Sequence, residues 1–96
     1  MTLQQRSENG APASNRGGWR YLQRTILLRH LAMAERHIVA GSRCIARQCE
    51  LIAELERHGH GGSQTVTVAR EVLQSFEMTQ ALHLADRERL KRALGS

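Results

Sequence analysis

Three side chains of this chain, His37, His83 and Asp86, are of the types that bind metal ions, and the pairing of helices derived below brings them together. Two imidazoles and a carboxylate form a workable ligand set for a divalent transition metal. A Glu-x-x-His pair, the signature of di-iron helical bundles, is absent from the sequence. The plainer expectation is a polar layer in which a core histidine is hydrogen-bonded by Asp86, Glu35 or Gln80, because buried polar groups need partners. His58 and His60 flank Gly59 in a glycine-rich stretch and read as exposed turn residues. Cys44 and Cys49 lie five residues apart, about 140° around a helix. That separation exceeds the ~7 Å over which Cα atoms can be bridged, so both read as small, partly buried apolar residues in a reducing compartment. Ser63 lies near His60 with no carboxylate to orient the pair, and the glycines from 59 to 62 do not follow a strand. Neither catalysis nor a cofactor is expected.

Charge suggests a different chemistry. Fourteen basic residues against nine acidic ones give a net charge of +5 and a pI of about 10.6. Arg20, Arg24, Arg87, Arg89, Lys91 and Arg92 form a basic end, with Trp19 and Tyr21 as stacking groups. This is the footprint of a nucleic-acid-associated protein. However, no helix-turn-helix, zinc-finger or RNA-binding signature accompanies it, and acidic residues interleave the basic ones. The distribution along the chain is polar. Residues 19–47 carry six Arg against Glu35, a net of +5. Residues 48–78 carry Arg57 and Arg70 against five Glu, a net of −3, and residues 79–96 carry +2. An acidic partner at the basic end, or head-to-tail dimers, would use that polarity.

The elements that position these residues are helical. Residues 1–18 hold the only proline and few bulky apolar groups, and are expected to form a disordered tail. They lack the apolar central stretch of a signal peptide, and no apolar run approaches the ~18–20 residues that span a bilayer. From Trp19 to about His58 helix formers dominate. Leu31, Ile38, Ile45 and Ile52 recur every seven residues, with Ala34, Gly41, Gln48 and Leu55 three residues on, which is an a/d heptad pattern. Residues 59–64 break the helix, and Ser63 or Thr65 can cap the next one. A second helix is expected over 65–94, its apolar face built from Ala69, Val72, Leu73, Phe76, Leu90 and Leu94 and interrupted by Gln80 and His83. The short link folds the two into an all-α antiparallel hairpin, coiled-coil-like, with a seam of Leu31, Ile38, Ile45, Ile52, Leu73, Phe76 and Leu90. With the turn near Gly61, facing residue numbers sum to about 122. Phe76 is then expected in the space left by Gly41.

A hairpin buries one stripe of each helix, and this chain has apolar residues to spare. Leu28, Val39 and Ala46 on the first helix and Leu82 on the second are expected to form a partner surface, for self-association into a four-helix bundle or for another helical protein. A small interaction or regulatory module follows, with no membrane role. A nucleic-acid-associated protein and a His/Asp metal-binding bundle are the alternatives.

Several runs also carry a resemblance. The stretch from His30 to Ile38, Ile45-Ala46-Arg47-Gln48, Leu51 to Arg57, Phe76-Glu77, Gln80-Ala81-Leu82-His83 and Asp86 to Leu90 together resemble an uncharacterised family of short helical proteins from rhizobial-type alphaproteobacteria. The likeness spans about residues 28–94. It implies a helical hairpin and a bacterial cytoplasm, and brings no catalytic or binding residues with it.

If the seam carries the fold, Ile38→Asp together with Ile45→Asp should abolish the hairpin. Circular dichroism is expected to show loss of most helical signal.

Overall fold

Helix formers dominate both halves of the chain, and both halves are helical. The computed structural model describes residues 12–59 and 61–95, with side chains from residue 17. It contains α1 (Pro12–Arg57) and α2 (Gln64–Gly95), and no strand among the described residues. Thr65-Val66-Thr67-Val68, whose alternating β-branched residues would by themselves suit a strand, forms the first turns of α2.

α1 starts earlier than its composition suggested. Residues 12–18 of the expected tail are helical, while residues 1–11 of that tail, and His60, lie outside the described residues. Proline is well suited to the first helical position, where its missing N–H would have no partner anyway. Once a long helix is nucleated downstream, extending it needs only one residue to be fixed per hydrogen bond gained. That offsets the cost of Gly17 and Gly18, roughly 1 kcal/mol each relative to alanine.

The turn uses local chemistry at both ends. α1 ends with Gly59 at φ 82°, a left-handed conformation that glycine adopts without strain. Its N–H donates to the Glu56 carbonyl at 3.2 Å. α2 begins at an N-cap, where the Ser63 hydroxyl accepts from the Val66 N–H at 3.3 Å.

The helices pair antiparallel close to the expected register. Gln80 reaches Ser42 and Arg87 reaches Glu35, pairs that sum to 122. Gln48 bonds to Ala69 and Arg24 to the Leu94 carbonyl, at 117 and 118. All seven expected seam residues are buried or half-buried. The seam of α2 is longer than its aliphatic residues indicate. Val66, Leu73, Gln80, Arg87 and Leu94 recur every seven residues, interleaved with Ala69, Phe76, His83 and Leu90, and every one of them is turned at least partly inward. Val66 and Leu90 are its most enclosed members, at 0% and 1% exposure. Val72, expected on that face, lies beside the seam and is exposed.

The molecule measures 78 × 29 × 14 Å. Its least dimension is little more than the ~10–12 Å diameter of a single helix, so the hairpin is one layer thick. N-terminal to Arg24, α1 runs on past the end of α2 and carries the exposed Trp19, Tyr21 and Leu22. Among the described residues no helix is long and apolar enough to cross a membrane.

Candidate functional site

Midway along the seam, the aliphatic layers give way to a polar one. Gln80 is 9% exposed and is the buried polar residue among the described residues. Its Nε2 donates to the Ile38 carbonyl at 2.8 Å and to the Ser42 hydroxyl at 3.1 Å. A helix carbonyl has a second lone pair after its own helical bond, so it can accept this crossing amide. Gln48 does the same in the other direction, with its Nε2 donating to the Ala69 carbonyl at 2.8 Å. Two side-chain amides thus tie each helix to the backbone of the other.

Gly41 makes room for the first of these ties. A Cβ built at Gly41 would collide with Oε1 of Gln80. The residue that fills the space at Gly41 is therefore Gln80 and not the expected Phe76, which lines the groove beside it. The Gln80 Oε1 is fully enclosed and finds no hydrogen-bond donor among the described residues. Leaving a buried acceptor unpaired costs about 1–3 kcal/mol. The Nε of Arg87, one heptad further along, is also enclosed and unbonded, 3.8 Å from Glu88.

The two imidazoles do come together. His37 and His83 lie with ring centroids 5.0 Å apart, tilted by 42°. Asp86 does not complete a ligand set, because its carboxylate pairs with Arg89 at 2.5 Å. Among the described residues no group of three His, Cys, Asp or Glu side chains could hold a metal ion. The polar layer foreseen around a histidine is thus built around Gln80, whose partners are Ile38 and Ser42.

The slab has two unlike faces. On one, the two interhelical ion pairs among the described residues join Glu56 to Arg70 and Glu35 to Arg87. On the other, His37, Ala40 and Cys44 of α1 and Phe76, Thr79 and His83 of α2 line an open groove of about 340 Å³, floored by Gly41 and Gln80. The four residues expected to form one partner surface are split between these faces. Val39 lies one turn from both Glu35 and Ser42, with Leu28 and Ala46 on the same flank, so those three belong to the charged face. Leu82, one turn from Thr79, belongs to the groove face. All four are exposed. Spacing along each helix could not reveal this split, because it depends on which flank of α1 lies beside which flank of α2.

The basic end is largely paired internally. Arg24 donates to the Leu94 carbonyl at 3.2 Å, where a cation also meets the negative end of the α2 dipole. Arg87 meets Glu35, Arg89 meets Asp86, and Lys91 lies 3.9 Å from Glu88. Cys44 is half-buried in the groove, with Arg47 Nη2 3.8 Å from its sulfur. Cys49 is exposed, contrary to the expected partial burial, since it lies on the flank of α1 beyond the seam.

In comparison with known proteins, the chain matches no family model, no curated protein and no solved structure.

The fit of Gln80 to Gly41 predicts a coupling. Gly41→Ala alone should destabilise the fold by about 1–3 kcal/mol through overpacking. In a Gln80→Ala background the same change should cost much less, because the opposing amide is gone. A double-mutant cycle by urea denaturation should return a coupling on the order of 0.5–3 kcal/mol. Additive effects would contradict the assigned contact.

Proposed function

We propose that this chain is a small helical protein–protein interaction or regulatory module of the bacterial cytoplasm that associates with itself into a four-helix bundle. The observation that supports this most is the surface of a slab one helix thick. The hairpin exposes 7093 Å², whereas a compact monomer of 10.8 kDa would expose roughly 5,500 Å². Large side chains such as Ile26, Met33, Leu51 and Leu82 stand exposed, while the buried apolar core is limited to Ala34, Ile52, Val66, Ala69 and Leu90 among the described residues. A two-helix core of this size is marginal alone, and a second layer is the usual remedy for an amphipathic hairpin.

A nucleic-acid partner has less to support it. Arg24, Arg87, Arg89 and Lys91 already contact carbonyl or carboxylate oxygens within the chain, and phosphate would have to displace them. A metal-binding role would need a third ligand beside His37 and His83.

Size-exclusion chromatography with light scattering, reading 260 and 280 nm together, separates these readings. A protein-only species of twice 10.8 kDa that persists in ~0.5 M salt is the expected result, because apolar association survives salt that dissolves phosphate contacts. A peak rich in 260 nm absorbance that loses that excess in salt would contradict self-association as the principal role.

A further inference from the structure

The two broad faces of the slab are not equivalent as docking surfaces. On the charged face, α2 presents Arg70, Glu77, Glu88 and Lys91 along the flank that carries the ion pairs to Glu56 and Glu35. Covering them would strip water from charges that are half in solvent, a penalty that ion pairing often fails to repay. The groove face is poorer in charge. On α1, Met33 and Leu51 extend the line of Ala40 and Cys44, one heptad away on either side. On α2, Val72 and Leu82 flank Thr79. Arg47 and Glu54 continue the Met33–Ala40 row, and the mutually paired Asp86 and Arg89 continue the Val72–Thr79 and Leu82 rows, so the charges lie toward the ends of this face. An apolar centre with a charged rim is the usual anatomy of a protein interface.

We propose that a second copy of this chain docks on the groove face, with the two turns at opposite ends, so that the His37–His83 grooves of the two copies lie over each other. The proposal rests on the self-association reading above and adds the surface and its orientation. Two observations select this occupant. The first is the apolar row itself, since Met33, Leu51, Val72 and Leu82 all stand exposed on this face of the hairpin. The second is charge. The open end of the hairpin carries the +5 and +2 segments and the turn end the −3 segment. With the turns opposed, each acidic turn end lies over a basic open end. With the turns together, the basic ends would be stacked on each other.

The groove lies near the middle of the paired region, so Leu82 is close to the symmetry axis of this dimer and near its own copy. Leu82 is 71% exposed in the single hairpin, so a charge there leaves the hairpin seam intact. Leu82→Arg and Ala40→Arg should each halve the mass seen by light scattering, with helical circular dichroism retained. Val39→Arg, on the charged face, should leave a dimer. Orientation is read by spin labels on Gly62→Cys in a Cys44→Ser, Cys49→Ser background, by pulsed dipolar spectroscopy. Opposed turns put the two labels about 60 Å apart, from some twenty helical residues on either side of the axis. Dimeric Leu82→Arg and Ala40→Arg proteins would overturn the assigned face and leave self-association standing. Labels within about 30 Å of each other, half that span, would overturn the orientation. A wild-type monomer would overturn both the surface and the reading on which it rests.

Discussion

Two helices share only one seam. Each helix of a hairpin has a single neighbour, so each can bury only a single stripe, whatever else its sequence offers. The rest of this structure follows from that limit. The slab is 14 Å thick, its buried apolar side chains are few, and long rows of Leu, Ile, Met and Val face outward. In a four-helix bundle the same helices would each have two neighbours, and the rows flanking the seam would become core. The chain's apolar content fits that second arrangement better than the first.

The seam trades stability for register. Aliphatic layers alone tolerate slippage by a heptad, because one layer resembles the next. Gln80 against Gly41, and Gln48 against the Ala69 carbonyl, occur at one register only. A shift by one heptad would set the Gln80 amide against a residue that carries a Cβ, where Gly41 has none. The enclosed Oε1 of Gln80 is the residual cost of this arrangement. A polar group that fixes alignment at some expense in stability has good precedent in coiled coils. The ion pairs on one face only, and the open groove on the other, then give the slab a polarity that two plain amphipathic helices would lack.

The hairpin was legible in the sequence because α1 announces its seam with isoleucine and leucine every seven residues, and because three glycines in close succession mark the turn. α2 hides the same period. Gln80, His83 and Arg87 occupy seam positions, so a reading weighted by hydrophobicity takes them as interruptions, although their spacing from Val66, Ala69 and Leu90 is regular. Val66 sits among β-branched neighbours that suit a strand, yet it is fully buried, at 0% exposure. The meeting of His37 with His83 could be read from register alone. The diversion of Asp86 to Arg89 could not, since it depends on a choice between nearby partners three residues apart on one helix.

If one hairpin is completed by another, the thermal midpoint of the unmodified chain depends on its concentration, which circular dichroism can follow from about 1 to about 200 μM. A native state stabilised by association becomes more stable as concentration rises. The midpoint should therefore climb by several degrees across that range. A midpoint that stays constant would mean that the single-layer hairpin is stable by itself, and would contradict the account.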